Sequence, residues 1–385
     1  MENKYAIKIR RKLHMYPEIG FNLDRTLKLL KSELDKIGVD YTEKYGKSSI
    51  VATINPEKNH FTIGIRADMD ALPITEENTV GYKSKTEGKM HACGHDAHTA
   101  IALTTLKELY KERDNINCSV KFLFQSGEEA YCGAKYMTDD GVMDDIDCIV
   151  ALHVEPTCKT GKILVKPGAR YANAYHFTLE FFGKSVHAAF QQNGIDANMI
   201  AMNAYSAIES MMAKSLSADD VAVFNAGEIQ GGTANNIISD YCSMKCTLRT
   251  WDEKLEEKLL ENIRKICELT AQMFGAKFNY ILDNRYPALY NDDVITDKLI
   301  ASAKKVIGEK NVLPLFYTNM GAEDFAYFAK KKPACMFNLG VEKNGNKKTY
   351  GLHTSKFDIN EEALDVGVKI FKQFVYDNMD NKRNI

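Results

Sequence analysis

The residues of this chain that could do chemistry lie in five short segments that are far apart along the sequence. In the first segment, His91-Ala92-Cys93-Gly94-His95-Asp96, a thiolate and an imidazole flank a small glycine, which lets both side chains converge. Thiolate and imidazole are good ligands for zinc-like ions. On its own, the segment is equally well explained as a buried cysteine beside a surface histidine.

Adjacent carboxylates form the second segment, Gln125-Ser126-Gly127-Glu128-Glu129, directly after a predicted strand that ends at Phe124. Neighbouring side chains on an extended chain point in different directions. One glutamate could therefore bind a metal ion while the other faces a substrate as a general base. A metal-polarised water beside a carboxylate is suited to hydrolysis of an unreactive amide. A solvated acidic turn is the simpler explanation of the pair.

Three further segments carry possible ligands near predicted strand ends, where α/β sheets usually place their sites. His153 follows the apolar residues 149–152, and His353 lies in Tyr350-Gly351-Leu352-His353-Thr354. Asp68 and Asp70 follow a strand that ends at Ala67, and they could be ligands or could orient ligand imidazoles. Taken singly, no segment decides the question, but their order along the chain is specific.

The elements that must position these segments alternate between strands and helices. Strands are predicted at residues 49–54, 61–67, 120–124 and 148–152, with a helix at 98–112. Between residues 176 and 282 the predicted order is β-α-β-β-α-β, which is typical of a ferredoxin-like unit. The α/β alternation resumes at about Pro287. We therefore expect a mixed-sheet α/β domain at 1–170 and 287–385, interrupted by a ferredoxin-like α+β domain at 171–286.

Composition limits the classes of function. With 385 residues, the chain is long enough for two domains, and a formal net charge of -2 gives no reason to expect nucleic acid or an anionic membrane as a partner. No segment has the apolar length of a secretory signal or of a membrane span. The nine cysteines are an odd number without a disulfide-scaffold spacing. We expect a cytoplasmic protein with reduced thiols.

Two long motifs resemble a known enzyme family. Arg66-Ala67-Asp68-Met69-Asp70-Ala71-Leu72-Pro73-Ile74 and Lys89-Met90-His91-Ala92-Cys93-Gly94-His95-Asp96-Ala97-His98-Thr99 are similar to segments of metal-dependent amidohydrolases related to aminoacylase and zinc carboxypeptidases. The branch with Cys-Gly-His-Asp contains hippurate hydrolases, N-acyl-amino-acid deacylases, auxin-conjugate hydrolases and N-acetyl-diaminopimelate deacetylases. The resemblance covers nearly the whole chain, from residue 10 through Gly321-Ala322-Glu323-Asp324-Phe325 to residue 357.

This resemblance implies roles for individual residues. Two divalent ions (manganese, zinc, cobalt or nickel) are expected on five ligands, which are Cys93, His95, Glu129, His153 and His353. Glu128 matches the general base. The inserted domain is expected to act as a lid and to form a homodimer, and its His187 to stabilise the tetrahedral oxyanion. Asn236 is expected near the substrate, and Arg249 to bind the α-carboxylate of the substrate. His187 could instead be a surface histidine, and Arg249 a structural arginine.

The chain also departs from the family pattern. Ser185-Val186 stands where two glycines usually precede the lid histidine, and Phe190-Gln191-Gln192 lacks a usual proline. Gln125-Ser126-Gly127 and Ser239 likewise replace residues that are common in the family. None of these changes removes an expected ligand, but those around His187 bear on the geometry of the lid and on substrate preference.

The expected function is removal of the acyl group from an N-acyl-amino acid. N-acetyl-diaminopimelate deacetylation in lysine synthesis is the nearest alternative. A dipeptidase is a further alternative, although peptidase branches generally use a bridging carboxylate in place of the cysteine motif. A metal-binding protein without catalysis is the alternative of another class, and the presence of Glu128 beside the ligands argues against it.

Overall fold

The computed structural model describes residues 4–316, 319–343 and 350–381, apart from the side chain of Ala130. The helices are α1 (Lys4–Met15), α2 (Asp24–Ile37), α3 (His95–Lys111), α4 (Glu128–Tyr131), α5 (Gly133–Asp139), α6 (Ala197–Ser215), α7 (Glu253–Met273), α8 (Asp293–Ile307), α9 (Ala326–Ala329) and α10 (Ala363–Asn378).

The strands are β1 (Tyr41–Thr42), β2 (Ile50–Ile54), β3 (Thr62–Asp68), β4 (Ser119–Gln125), β5 (Cys148–Lys159), β6 (Ile163–Val165), β7 (Gly168–Tyr171), β8 (Ala174–Phe182), β9 (Val186–His187), β10 (Ala222–Gly231), β11 (Ile237–Ile238), β12 (Tyr241–Thr250), β13 (Lys277–Tyr286), β14 (Leu289–Asn291), β15 (Val312–Pro314) and β16 (Ala334–Glu342).

The chain forms two compact units. The first unit comprises three segments of the chain: the residues up to Arg170, a segment that begins at Tyr290, and the residues from Asp324 onward. The second unit comprises Tyr171–Leu289 and a short segment that ends at Glu323. The sequence prediction places its inserted domain at 171–286, and the role of that domain as a lid stays a prediction.

The first unit is built on an eight-stranded sheet in the order β1-β2-β4-β3-β5-β16-β6-β15. Strands β4, β3, β5 and β16 are parallel neighbours, whereas β1, β2 and β6 introduce antiparallel pairs. The sheet is therefore mixed, as predicted. The parallel strands read as nearly continuous apolar runs, because helices pack against them and leave little room for water.

Two groups of helices pack in this unit. Helix α3 contacts α1, α10 and strands β3 to β5, while α8 and α10 pack on each other and on β16. Helices α5 and α9 form a separate pair beside β4 and β16. The apolar core of the unit includes fully buried phenylalanines, such as Phe122, Phe124 and Phe337. Burial of each such side chain contributes about 1.5–3 kcal/mol relative to exposure.

The second unit has a four-stranded antiparallel sheet in the order β10-β12-β8-β13. Helices α6 and α7 pack on its apolar face, and Asp196 and Asp252 accept hydrogen bonds from the first backbone N–H groups of these helices. The chain order of these elements is the predicted β-α-β-β-α-β, and the strand order is that of a ferredoxin-like unit. The small β9–β11 pair is an addition that the sequence did not reveal.

The prediction for His153 was wrong in one structural detail. This residue does not follow its strand but lies within β5, which continues to Lys159. The apolar run that predicted the strand ends at Leu152, and pairing with β16 extends the strand beyond that run. In the part of the chain that the structure describes, no helix combines the length and apolar character needed to cross a bilayer.

Candidate metal centre

The turn into α3 places Cys93 and His95 close together. Gly94 between them has φ 88°, a left-handed conformation that favours glycine. A Cβ atom at this position would lie 2.3 Å from Cγ2 of Val154. The glycine therefore allows both the turn and the close approach of β5, and it leaves His95 as the first residue of the helix.

The five predicted ligands converge in the first unit. The Cys93 Sγ atom lies 3.4 Å from Nε2 of His153 and 3.3 Å from Nε2 of His353. The Glu129 Oε1 atom lies 3.5 Å from Nε2 of His353 and 3.8 Å from Nε2 of His95. These side chains form two groups of possible metal ligands, Cys93 with His95 and His153, and Cys93 with Glu129 and His353. Cys93 is common to both groups.

The unsatisfied polar atoms of this cluster fit divalent cations. Among the described residues, both ring nitrogens of His95 and the Oε1 atom of Glu129 are buried without a hydrogen-bond partner. A buried polar atom without a partner costs about 1–3 kcal/mol, so such atoms usually bind a ligand or water. One thiolate, three imidazoles and one carboxylate form a donor set of borderline softness, which suits zinc-like and manganese-like ions. The residues present therefore fit a pair of such ions.

The imidazole of His98 is arranged as a support for the site. Its Nδ1 donates a hydrogen bond of 2.6 Å to Asp68, and its Nε2 accepts the backbone N–H of Val154 at 3.0 Å. Both ring nitrogens are thus engaged, and no lone pair remains for a cation. His153 donates from Nδ1 to the carbonyl oxygen of Val154 at 2.8 Å, which leaves the lone pair of Nε2 directed at the thiol of Cys93.

Asp70 holds the turn that carries the two glutamates. Its carboxylate accepts the backbone N–H groups of Glu128 at 3.0 Å and of Glu129 at 3.2 Å, at the start of α4. The Oε2 atom of Glu128 lies 4.0 Å from Nε2 of His95, and the side chain of Glu128 is almost buried. Glu128 thus approaches the cluster near His95, whereas the neighbouring Glu129 lies near both His95 and His353.

Gly127 lies in one of the segments that depart from the family pattern. Its φ of 68° again requires the left-handed region, and a Cβ atom there would lie 2.7 Å from the ring of Phe21. At Gly20, a Cβ atom would lie 2.4 Å from the ring of Tyr131, which belongs to α4, so the absence of a side chain makes room for that ring. The segment before α2 and the turn that carries Glu128 are thus interlocked through two glycines and two aromatic rings.

Burial and neighbouring charge shift the pKa values of the cluster in opposite directions. Burial raises the pKa of the Cys93 thiol well above its usual range, and Glu129 and Glu128 raise it further. Burial by itself lowers the pKa of His95, but the carboxylates of Asp68, Asp70 and Glu129 outweigh it and raise this pKa to about 10. A bound cation would favour thiolate and neutral imidazole instead, because metal ligands must be deprotonated.

The remaining predicted residues lie in the second unit. His187 pairs with Ile237 in the β9–β11 pair, and its exposed ring accepts the backbone N–H of Ala189 at Nδ1, 3.1 Å away. The backbone carbonyl of Asn236 accepts the N–H of Ala188. Arg249 lies on β12, half-buried, and donates a hydrogen bond of 2.9 Å to the carbonyl oxygen of Met320. These three residues belong to a different unit from the five converging ligands.

Sequence reasoning missed two buried networks that support the site. Arg66 donates to Asp68, Gln125 and Asp324, which link three separate elements. Arg10 and His14 of α1 both bind Asp96, the residue after His95. Arg66, Asp324, Arg10 and His14 all lie within the part of the chain that the family resemblance covers, but the resemblance alone did not reveal which partner each would meet.

The comparisons with known proteins agree with this geometry. Residues 64–377 match the model of peptidase family M20/M25/M40, and the chain belongs to this family. It is 34% identical over 365 residues to YhaA of Bacillus subtilis, provisionally assigned as an amidohydrolase, covering 94% of this chain and 92% of that protein. It is 33% identical over 370 residues to thermostable carboxypeptidase 1 of Saccharolobus solfataricus, covering 94% and 92%.

Two deacetylases are also among the relatives. N-acetyldiaminopimelate deacetylase of Shouchella clausii is 33% identical over 378 residues, covering 97% of this chain and 98% of that protein. N-acetylcysteine deacetylase of Bacillus subtilis is 31% identical over 368 residues, covering 95% of each. The protein is therefore a hydrolase of a family that includes amidohydrolases and deacetylases.

Solved structures confirm the fold class. A protein from methicillin-resistant Staphylococcus aureus, provisionally assigned as an aminohydrolase, matches with a TM-score of 0.92 and 31% identity, covering 98% of this chain and 96% of that one. The Bacillus subtilis YxeP protein, described as a dinuclear metal binding peptidase of the M20 family, matches with a TM-score of 0.80 and 28% identity over 96% of each chain.

The network around His14 predicts a pH-dependent stability. The ring of this buried residue lies 2.8 Å from Asp96 and 3.2 Å from Glu76. Burial lowers the pKa of His14, but these carboxylates outweigh it and raise the pKa from 6.5 to about 9. Because the folded value is the higher one, the stabilisation is complete below pH 6.5 and is lost as the pH rises through about 9.

We expect His14→Gln to lower the free energy of unfolding more at pH 6 than at pH 9.5, by on the order of 2–3 kcal/mol. Urea unfolding of the parent and the variant at both pH values measures this difference. The exposed His60 offers a matched control, and His60→Gln should show little effect at either pH. Equal losses for His14→Gln at the two pH values would contradict the predicted charge of His14.

Proposed function

We propose that this protein removes the acyl group from N-acylated amino acids with two divalent metal ions bound to Cys93, His95, Glu129, His153 and His353. The observation that carries this proposal is the pair of ligand groups that share Cys93, with the further carboxylate of Glu128 beside them. The deacetylase relatives favour an N-acyl-amino acid as the substrate class. The native metal among manganese, zinc, cobalt and nickel stays open.

The metal ions would supply a Lewis acid that lowers the pKa of a water molecule into the neutral range. Glu128 would accept a proton from that water as the water attacks the amide carbon. The same carboxyl group would then deliver the proton to the departing nitrogen. Its position is set by the backbone hydrogen bonds to Asp70, which fix the start of α4.

The second unit would provide groups that bind the substrate. Since Nδ1 of His187 accepts a hydrogen bond, the neutral ring carries its proton on Nε2, where it can donate to a developing oxyanion. Arg249 uses one N–H group for the carbonyl of Met320, and a guanidinium has five, so the side chain is held in place while it can still bind a carboxylate. Asn236 lies on the loop beside His187 and would contact the substrate.

Two other hydrolytic functions have specific support. N-acetyl-diaminopimelate deacetylation is favoured by the relative of that activity, which aligns over nearly the whole chain. Peptide cleavage is favoured by the carboxypeptidase relative. All three reactions break an amide bond and differ in the groups on either side of it, so the substrate decides among them. We also propose a cytoplasmic location, because the nine cysteines are an odd number and all of them are buried, which suits thiols kept in a reducing compartment.

We propose that the second unit joins two copies of the chain through the β10 edge of its sheet and the adjacent helix α6. An edge strand presents backbone N–H and C=O groups that another chain can pair. The outward face of α6 exposes Met199 and Met202, and β10 exposes Val223 and Ile229. Helix α7 packs on the same face of the sheet but next to the opposite edge strand, β13, and it carries many charged residues, which suits contact with solvent.

The substrate class is tested by a hydrolysis screen with controlled metal content. We expect turnover of N-acetyl-, N-benzoyl- or longer N-acyl-amino acids to exceed that of N-acetyl-diaminopimelate and of dipeptides. Chelation should abolish this activity, and one or more of manganese, zinc, cobalt and nickel should restore it. Preferential cleavage of N-acetyl-diaminopimelate or of dipeptides would replace the proposed substrate, and activity that resists full chelation would rule out the mechanism.

The role of Glu128 is tested by Glu128→Gln, which keeps the shape of the side chain but cannot accept a proton. We expect bound metal and fold to be retained while kcat falls by about 10²–10⁴-fold. The neighbouring Glu129→Gln is the matched control, since loss of a metal ligand should lower the bound metal. Metal content by atomic absorption and steady-state kinetics separate the two. Near-normal turnover of Glu128→Gln would remove it as the base.

The dimer is tested by placing a charge on the proposed interface. We expect the parent to have twice the mass of one chain in light scattering, and Ile229→Lys to shift it toward the monomer, because a buried unpaired charge is costly. Leu282→Lys on the opposite edge strand, where the side chain is also exposed, is the control and should remain dimeric. A dimer that Leu282→Lys disrupts and Ile229→Lys does not would place the interface on the other edge.

A further inference from the structure

Arg66 lies at the centre of a buried network beneath the candidate metal centre. Its side chain is fully buried on β3, and its three nitrogens point to three different elements. Nη1 donates to Asp68 at 2.7 Å, Nη2 to Asp324 at 2.9 Å, and Nε to the amide oxygen of Gln125 at 2.8 Å. The network therefore joins the end of β3, the end of β4 and the segment before α9.

The Asp68 side of the network reaches the imidazoles. The Oδ2 atom of Asp68 that binds Arg66 lies 3.7 Å from Nε2 of His95, and the Oδ1 atom accepts the hydrogen bond from His98. His98 in turn accepts the backbone N–H of Val154, which follows His153 in β5. The position of Arg66 therefore affects the positions of two proposed ligands, His95 and His153.

The Asp324 side of the network reaches the glutamates. Its carboxylate accepts hydrogen bonds from the amide nitrogen of Gln125 at 2.9 and 2.7 Å and from the backbone N–H of Ala134 at 2.9 Å. Gln125 and Ala134 lie on either side of the turn that carries Glu128 and Glu129. Asp324 therefore holds both ends of this turn and is itself fixed by Arg66.

The chemistry of arginine suits this position. A planar guanidinium presents N–H groups in fixed directions, whereas the ammonium of lysine is a single point charge. One buried positive charge faces two carboxylates, Asp68 and Asp324, so removal of either carboxylate breaks an ion pair and takes away the acceptor of one guanidinium N–H group. The ring centroid of Phe325 lies 5.9 Å from the guanidinium carbon of Arg66, so the ring packs near one side of the network.

We propose that Arg66 and Asp324 are positioning residues that set the spacing between the imidazole side and the glutamate side of the metal centre. This inference rests on the proposed dimetal site, because it assigns the network the task of holding ligands of that site in place. Both residues would act through other groups, Arg66 through Asp68 and Asp324 through Gln125 and the backbone of Ala134. Their effect should therefore appear in metal affinity and in kcat, and much less in KM.

Cobalt(II) titration of the metal-free protein, followed by visible spectroscopy, tests this role without reference to turnover. We expect Asp324→Asn and Arg66→Lys to weaken the binding of at least one cobalt ion by about 10–100-fold, the range seen when groups that orient ligands are removed. At saturating cobalt, kcat should fall by at least about tenfold with KM nearly unchanged. Gln125→Met leaves both ion pairs of Arg66 in place, and it should show a smaller change in the same direction.

A matched control separates positioning from general stability. Lys121 lies on the same strand as Gln125 and pairs with Asp145 at 2.5 Å, outside the network. We expect Lys121→Met to lower the thermal unfolding temperature while both cobalt affinities and kcat stay at parent values. Normal cobalt affinities and kcat in Asp324→Asn or in Gln125→Met, whatever their stability, would overturn the proposal, and Gln125→Met decides the matter if the charge variants do not fold.

The same titration distinguishes failure of this inference from failure of the proposed function. If the parent binds two cobalt ions but cleaves no N-acyl-amino acid, the substrate proposal fails, and the cobalt affinities of the variants still decide the positioning role. If the parent binds no cobalt, both the dimetal site and the positioning role are overturned.

Discussion

Compensation of buried charge is the constraint on which the rest of this structure depends. Ionised groups are costly to bury unless they meet a partner of opposite charge or a metal ion. In the first unit, Arg66 forms buried ion pairs with Asp68 and Asp324, and Arg10 forms buried ion pairs with Asp96 and Asp358. His95 and Glu129 keep buried atoms without a hydrogen-bond partner among the described residues. The structure therefore satisfies the charges around the cluster and leaves the central ligand atoms for a cation.

The sheet brings these groups together because its central strands are parallel. Parallel neighbours end at the same edge of a sheet, and in this chain Asp68 is paired with Gln125 while His153 is paired with Asn338. The turns that follow β3 and β4 thus begin side by side, and β5 delivers His153 to the same edge. Gly94 adds the last requirement, since only a residue without a side chain lets the start of α3 approach Val154.

The family, the fold class and the candidate ligands could be predicted from the sequence because they depend on local patterns. Apolar runs predicted the central strands, and the helix predicted at 98–112 corresponds to α3 to within a few residues. His153 shows the limit of this approach, because pairing with β16 extends β5 past the apolar run. The β9–β11 pair that contains His187 has only two residues per strand, too few to give a periodic signal.

The sequence by itself determined which residue types were available: a thiol, imidazoles and carboxylates in motifs that are specific enough to identify the family. Tertiary structure decided which of these atoms meet. It alone paired Arg66 with Asp324, 258 positions away in the chain, and engaged both ring nitrogens of His98 while those of His95 remained without partners. The physical reason is that hydrogen bonds and ion pairs depend on distance and direction in space, and sheet pairing and packing fix these quantities only when the whole chain is folded.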